Sequence, residues 1–327
     1  MAELVNEFSW SPSRDRLYQG CQRAYYLNYY ASWGGWKRSA PEAARKAYLL
    51  KNMTTLPMLA GTVVHGVIER AVGWIQGGRT VDRAALLDEA RGRLNRAWQD
   101  SRNQEWKRTS PKRATNLFEH YYGVELGREE ILKVRDLVQR CLDHYRQGPL
   151  HSEILTTGGA NIRSCEKLTS FDLGGVKVWV AMDLVLDLPR GDGGETEPAE
   201  GPTLRIIDWK TGRSREEDRR QLGVYALYAH RELRLPAERI EVQGVYLRSG
   251  DVTRDRLDDA ALSRVEADIL DSATRLREQL VDPENNIARE EDFPRVEDEG
   301  ACRRCQFQEI CRPEWRTTAG GGSAAEA

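Results

Sequence analysis

The segment that decides the fold is IIDWKTG, residues 206–212. Because side chains alternate along a strand, Asp208 and Lys210 are expected to project from the same face near a strand end. There the carboxylate can hold a divalent cation, while the lysine steadies charge on an attacked phosphate or orients the attacking water. The backbone carbonyl of Trp209, between them, can add an oxygen ligand. A D-x-K triplet alone is common by chance, and the competing interpretation is a surface strand that ends in charged residues.

The preceding predicted strand supplies a second carboxylate. VKVWVAMDLVLDL, residues 176–188, is apolar for most of its length but carries Asp183 in its middle. A buried carboxylate is costly unless it is paired, hydrogen-bonded or bound to metal. If the two strands are neighbours, Asp183 and Asp208 can share one cation. Asp187 competes with Asp183 for this role, but it lies near the end of the strand and is expected to be exposed.

Hydrophobic patterning around these strands predicts an α/β or α+β core, of which we adopt α/β. Apolar periodicity predicts helices at residues 58–76, 84–98, 131–145, 216–233 and 260–280. Runs of β-forming residues predict strands at 162–171, 176–188, 204–210 and 240–247. The order indicates a mixed sheet flanked by helices, with a helical insert of about 90 residues ahead of the strands. Residues 190–202 are a predicted mobile loop, and the last residues are expected to be disordered.

Two of the predicted helices carry further polar candidates. His65 aligns with Ile68 and Val72 on one helix face, where a lone histidine is more often a core residue than a ligand. The predicted pair of Asp183 and Asp208 favours the interpretation of His65 as a metal ligand. An imidazole binds manganese better than magnesium. Gln221 and Tyr225 lie four residues apart on the helix after Lys210, hence on one face. In a functional interpretation they orient the lysine or contact a phosphate. The alternative is that they are ordinary polar residues of an amphipathic helix.

Four cysteines form a second group of candidate ligands. Cys302, Cys305 and Cys311 have the spacing C-x2-C-x5-C, and Cys21 is the candidate for a fourth ligand. Four thiolates can hold either an iron–sulfur cluster or zinc. Near Cys21, a serine at position 11 or 13 is expected to cap a short turn, followed by an aromatic helix that contains Cys21 and several tyrosines. As ligands, the four cysteines would clamp this helix to the C-terminal segment.

Composition excludes few classes of function. The 327 residues include 49 basic and 51 acidic ones, and a net charge of −2 neither demands nor excludes nucleic acid. No stretch approaches the roughly 20 apolar residues of a membrane span. Residues 1–10 lack the pattern of a secretory signal, so we expect a cytoplasmic protein without a membrane partner. Six cysteines then argue against disulfides, and Cys141 and Cys165 are expected to be small buried apolar residues.

The joint order of these motifs resembles a known family. His65, Asp183, the Asp208-Trp209-Lys210 triplet and the later glutamine–tyrosine pair follow the order seen in RecB-like nucleases of the PD-(D/E)XK superfamily. With the four cysteines, the chain is similar to the iron–sulfur subgroup, which includes AddB-type helicase–nucleases and the RecB-like nuclease associated with CRISPR adaptation. The resemblance runs from about residue 8 to residue 311, but the helical insert at 79–151 carries no recognised motif.

The resemblance implies a role for each matching residue. The ligands of a Mn²⁺ or Mg²⁺ ion would be His65, Asp183, Asp208 and the carbonyl of Trp209. Lys210 would be catalytic together with the two aspartates, and Gln221 and Tyr225 would support the site. The ligands of a [4Fe–4S] cluster would be Cys21, Cys302, Cys305 and Cys311. Glu166, near a position where some relatives carry an acidic residue, is an additional candidate.

The resemblance also suggests a division of the chain. An N-terminal segment with the first cluster cysteine would span residues 1–57, and a helical region carrying His65 would span 58–152. The nuclease core would occupy 153–283, the C-terminal iron–sulfur segment 284–315, and the disordered tail 316–327.

The expected function is hydrolysis of DNA phosphodiester bonds, preferentially in single strands or at ends. The sequence contains no Walker A phosphate loop, so any unwinding would require a partner such as a helicase or another repair or antiviral defence protein. The main alternative is a catalytically inactive nucleic-acid-binding or scaffolding subunit. A third is a regulatory protein stabilised by zinc, which would be colourless where an iron–sulfur protein is brown.

Overall fold

The computed structural model describes residues 4–188 and 202–315. Residues 190–201 of the predicted loop and the predicted tail at 316–327 lie outside the described residues. The helices are α1 Pro12–Gly20, α2 Gln22–Tyr26, α3 Glu42–Lys51, α4 Leu56–Gln76, α5 Arg83–Arg102, α6 Glu105–Arg108, α7 Phe118–Tyr121, α8 Arg128–Gln147, α9 Pro149–Thr157, α10 Glu216–Glu232, α11 Asp259–Glu278, α12 Glu299–Arg303 and α13 Gln308–Cys311. The strands are β1 Ile162–Leu173, β2 Val176–Asp187, β3 Leu204–Lys210, β4 Ile240–Tyr246 and β5 Asp251–Asp255. A π-helix covers Leu27–Ala31, and short 3-10 turns cover Gly159–Asn161, Ala237–Arg239 and Glu290–Asp292.

The strands form one mixed sheet in the order β1-β2-β3-β4-β5. β3 and β4 are parallel and are joined through α10, whereas the other neighbouring pairs are antiparallel. The predicted α/β fold, a mixed sheet flanked by helices, is therefore confirmed. β5 was not predicted, because its sequence DVTRD is polar and mostly exposed. Val252 is the single apolar residue of this edge strand, so no apolar alternation marks it.

The helical insert packs on one face of the sheet. α4 begins where the Thr55 side chain accepts a hydrogen bond from the backbone of Met58, and it ends at Gly77. Its apolar face packs with α5 and α8 against Leu184 and Ile207 of the sheet. Of the part of the chain that the structure describes, no helix has the length and apolar character that crossing a membrane requires.

The opposite face of the sheet is covered by α10, α11 and the aromatic N-terminal segment. Trp10 continues the sheet beside β2, since its backbone N–H donates to the carbonyl of Lys177 at 2.9 Å. The Trp10 indole donates to the buried hydroxyl of Ser272 on α11 at 3.0 Å, and this hydroxyl donates to the carboxylate of Asp15. Arg220 of α10 also donates to Asp15, at 2.8 Å. This network fixes α1 against α10, the helix that carries the predicted site residues Gln221 and Tyr225.

One prediction for the N-terminal region is wrong in detail. Cys21 does not lie inside an aromatic helix, because α1 ends at Gly20 and Cys21 has extended backbone angles, with φ −167° and ψ 111°. Its thiol instead caps α2, where it lies 3.5 Å from the backbone nitrogen of Ala24. The break turns the aromatic segment back onto Phe293, whose ring stacks with that of Tyr25. Helical periodicity could not show the break, since both halves have helix-compatible sequences.

Candidate functional site

Asp183 and Asp208 lie on adjacent strands. Leu184 of β2 pairs with Ile207 of β3. Asp183 precedes Leu184 and Asp208 follows Ile207, so the antiparallel register places the two aspartates opposite each other. A carboxylate oxygen of Asp183 accepts a hydrogen bond from the backbone N–H of Trp209 at 2.8 Å. Both carboxylates are nearly inaccessible, with exposed fractions of 6% and 2%. The antiparallel pairing therefore brings two acids together inside the protein, 25 residues apart in the sequence.

The electrostatics of Asp208 are unfavourable without a cation. Burial and the nearby charge of Asp183 raise the pKa of Asp208 to about 7, even though Lys210 and His65 act in the opposite direction. The Lys210 ammonium lies 2.7 Å from one carboxylate oxygen of Asp208. This single ammonium does not offset the cost of two neighbouring buried carboxylates. A bound cation would remove that cost, which is the pattern typical of a metal site.

His65 and Glu166 complete a group of potential metal ligands with Asp183. The His65 Nδ1 atom lies 3.0 Å from a Glu166 carboxylate oxygen and 3.5 Å from one of Asp183. One ligand atom from each residue lies within 4.8 Å of the other two. This donor set of one imidazole and two carboxylates fits Mn²⁺ and, with its oxygen ligands, Mg²⁺. Asp208 lies outside that group, since its oxygens contact Lys210 and Gln221.

Glu166 adopts an unusual backbone conformation within β1. Its neighbours Cys165 and Lys167 pair with Leu184 and Met182, which places Glu166 opposite Asp183. Its φ of 48° is in the left-handed region, which costs a non-glycine residue free energy and persists only where the surrounding structure enforces it. Such strain is frequent at functional sites. The sequence offered Glu166 only as an additional candidate, since neither the register nor the strained backbone is visible in the alternation of residues.

Gln221 links the lysine to one of the carboxylates. Its amide oxygen accepts a hydrogen bond from Lys210 at 3.2 Å, and its amide nitrogen donates to Asp208 at 3.1 Å. The same amide group donates to the Tyr225 hydroxyl at 2.5 Å, which in turn donates to the carbonyl of Ala181 on β2 at 2.5 Å. The glutamine–tyrosine pair of α10 therefore anchors the ammonium of Lys210 to the sheet. The position of the Trp209 carbonyl as a metal ligand stays a prediction.

Binding of Mn²⁺ is expected to displace a proton from His65. Burial lowers the pKa of His65, but hydrogen bonds and charge from Asp183 and Glu166 outweigh burial and raise it to about 10. The ring is therefore protonated at pH 8 without metal, and a cation requires a neutral ring nitrogen. Calorimetric titration in two buffers of different ionisation enthalpy should report about one proton released per Mn²⁺ at pH 8.

The variant His65→Gln is the control for this titration, because it carries no titratable proton at that position. Its Mn²⁺ binding should release markedly fewer protons than that of the wild type. If Mn²⁺ binding to the wild-type protein releases no protons, His65 is not a ligand.

The four clustered cysteines line one cavity. Cys21, Cys302, Cys305 and Cys311 all border a space of about 420 Å³ between the N-terminal helices and the C-terminal segment. Burial raises the pKa of Cys305 to about 11, and the three other thiols add to this shift. The sequence-distant Cys21 therefore meets the C-terminal triplet, through the break between α1 and α2.

The spacing of these thiols is a test of which metal group fits. In a tetrahedral zinc site with Zn–S bonds of about 2.3 Å, neighbouring sulfurs are about 3.8 Å apart. Within residues 4–188 and 202–315, no three cysteine sulfurs lie within 4.8 Å of one another. The cysteines therefore do not form a compact three-thiol group, and the cavity that they line has room for a larger metal group. Arg312 borders the same cavity and interacts electrostatically with Cys302 and Cys311, and the charges of Arg295 and Arg23 act on Cys311, so cations surround the thiols.

The five-stranded mixed sheet thus carries two buried aspartates and a lysine at one site. The model of the PD-(D/E)XK nuclease superfamily matches residues 9–312, and the chain belongs to this superfamily. Comparison with functionally characterised proteins gives no significant match. The match spans both the cysteine region and the sheet, which confirms the superfamily and leaves the RecB-like iron–sulfur subgroup as a prediction.

Proposed function

We propose that the protein is a metal-dependent nuclease that hydrolyses DNA phosphodiester bonds, preferentially in single strands or at ends. The observation that carries the proposal is the pair of buried aspartates, Asp183 and Asp208, with the Lys210 ammonium 2.7 Å from the second of them. A protein without turnover has no physical need for such a costly arrangement of charges. Membership of the nuclease superfamily supports the same reaction.

The residues that would hold a Mn²⁺ or Mg²⁺ ion are His65, Glu166 and Asp183, whose ligand atoms lie together. Asp208 and the carbonyl of Trp209 are the further ligands that the sequence predicts. When bound, the cation supplies positive charge to the attacked phosphate and favours loss of a proton from the attacking water. The chain itself contributes the carboxylates that fix the position of the site in the sheet. Their burial also keeps competing water away from the reacting groups.

Lys210 is the proposed catalytic cation of the chain. Its side chain is partly exposed, at 23%, so the ammonium can reach a phosphate from the side open to solvent. There it stabilises the negative charge that develops on the phosphate oxygens. The ammonium donates one hydrogen bond to Gln221 and pairs with Asp208, which leaves one of its three protons for substrate. Tyr225 keeps the glutamine in place through its own bond to β2.

We infer that the four cysteines hold a [4Fe–4S] cluster with a structural role. Support comes from their common cavity and from the cations around them. The cluster would join the N-terminal and C-terminal segments, both of which pack against the nuclease core. The RecB-like subgroup, the division of the chain into the five predicted regions, a cytoplasmic location and a helicase or other repair or defence partner belong to the same proposal.

The proposed activity is tested with the purified protein and end-labelled oligonucleotides. Cleavage of single-stranded DNA is expected with Mn²⁺, and EDTA in excess should abolish it until excess Mn²⁺ is restored. Parallel reactions with duplex DNA and with RNA measure the preference, and labels at either end report the polarity. Protein that contains its metals but leaves every substrate intact would contradict the proposal and favour a nucleic-acid-binding or scaffolding subunit.

A further inference from the structure

The segment between the π-helix and α3 presents an exposed aromatic surface. Trp33 and Trp36 are 38% and 40% exposed, and among the residues that the structure describes they are the aromatic members of the exposed large hydrophobic set. Their rings meet edge to face with centroids 5.1 Å apart. Trp36 makes a second edge-to-face contact, at 5.9 Å, with Tyr48 of α3. We call these three rings the tryptophan platform.

The backbone of this segment fixes the platform in place. Gly34 has a φ of +73°, a conformation that residues with side chains rarely adopt. A Cβ atom on Gly35 would lie 2.3 Å from the carbonyl oxygen of Ala44 and 2.5 Å from the Cβ of Tyr48, so the chain packs there only as glycine. A turn hydrogen bond of 2.9 Å from the backbone N–H of Lys37 to the carbonyl of Gly34 closes the segment. The two indoles are therefore held towards solvent by a constrained loop.

Such exposure requires a physical reason. Apolar surface left in water forgoes a hydrophobic gain of roughly 25 cal/mol per Å². About two fifths of Trp33 and of Trp36 stays exposed in this way. A preformed surface of this kind loses little conformational entropy when a ligand covers it. The arrangement is typical of a binding surface.

The charges around the platform select the ligand. Lys37 and Arg38 follow Trp36 directly and are exposed, and the first acidic residue after them in the chain is Glu42, at the start of α3. Stacking on aromatic rings beside cations is the way in which proteins bind single-stranded nucleic acid without strong sequence preference. Bases in a duplex are already stacked on one another, so they cannot use these rings.

We propose that the tryptophan platform, with Lys37 and Arg38, is a docking site for single-stranded DNA outside the catalytic centre. Trp33 and Trp36 stack on unpaired bases, while the two cations contact neighbouring phosphates. The identity of the polymer rests on the proposed nuclease function. The platform would favour single strands by binding them, independently of the chemistry at Asp208.

The test measures binding without cleavage. Fluorescence anisotropy of a labelled 20-nucleotide oligo-dT in EDTA is expected to give a Kd at least about tenfold higher for the double variant Trp33→Ala/Trp36→Ala than for the wild type. The variant Trp33→Phe/Trp36→Phe keeps aromatic rings and should bind within about threefold of the wild type. Leu155→Ala, which alters another exposed apolar residue, is the matched control and should bind as the wild type does.

Salt dependence tests the two cations separately. The variant Lys37→Ala/Arg38→Ala should lower the slope of log Kd against log salt by about 1.4, because each phosphate contact to a single strand contributes about 0.7. A Kd within twofold of the wild type for Trp33→Ala/Trp36→Ala would overturn the proposal. So would an unchanged Kd together with loss of binding to anionic phospholipid vesicles, which would assign the rings to a membrane surface.

Failure of the nuclease proposal would look different. The alanine variants at the platform should retain wild-type kcat at saturating DNA, since none of the substituted residues belongs to the catalytic site. Wild-type protein that binds oligo-dT through the platform but never cleaves it would refute the nuclease proposal and leave the docking site intact.

Discussion

Replacement of Asp208 by asparagine is expected to lower kcat for cleavage of single-stranded DNA by about a thousandfold. The substitution removes one of the three carboxylates that would hold the cation, and with it the negative partner of Lys210. Single-turnover cleavage with saturating Mn²⁺ measures the effect. The matched control is Asp187→Asn, because Asp187 is a carboxylate on the same strand as Asp183 but pairs with Arg163 near the surface, at 2.6 Å.

Stability measurements show whether lost activity reflects lost folding. Folding raises the pKa of Asp208. Between pH 4 and pH 7 the carboxyl group therefore ionises in the unfolded chain while it stays protonated in the folded protein. As a result, the free energy of unfolding without metal falls as pH rises. Asp208→Asn removes that contribution. The melting temperature of the variant, relative to the wild type in EDTA, should therefore increase from pH 4 to pH 7 and then level off. Wild-type cleavage rates in Asp208→Asn, or a relative melting temperature independent of pH, would contradict the assignment.

Replacement of Cys305 by alanine is expected to remove the visible absorption of the protein and most of its iron. Cys305 is one of four thiols around a single cavity, and a three-thiol site binds the cluster less tightly. Because binding free energy of a structural metal group is also folding free energy, the free energy of unfolding should fall by at least about 3 kcal/mol. Absorption spectra, iron and zinc analysis and thermal unfolding together check the prediction.

A cysteine outside the cavity provides the control for Cys305→Ala. Cys141 is fully buried in the helical region, and Cys141→Ala should keep the colour and the iron while losing only the packing of one sulfur. Wild-type protein that is colourless and contains one zinc per chain would exclude the cluster and favour zinc. Normal absorption in Cys305→Ala would show that Cys305 is not a ligand.

Local pattern was sufficient for the elements that carry apolar residues into the core. The apolar periodicity of α4, the runs of β-forming residues in β1 and β2, and the Asp208–Lys210 spacing at the end of β3 each depend on neighbouring residues only, and the predicted fold class followed from their order. β5 and the break at Cys21 were not predictable in this way. β5 has a single apolar residue, Val252, and the break depends on packing of the aromatic segment against Phe293, 272 residues away.

The sequence by itself determined which residues were chemically exceptional: an aspartate inside an apolar strand, an ammonium two residues from a carboxylate, and three closely spaced cysteines. Tertiary structure alone decided which of them meet. The antiparallel register between β2 and β3 sets Asp183 beside Asp208, the strained backbone of Glu166 turns a third carboxylate towards His65, and the extended conformation of Cys21 brings it to the C-terminal cysteines. The physical reason is that strand pairing and packing are set by the whole core, whereas the chemical type of a residue is local.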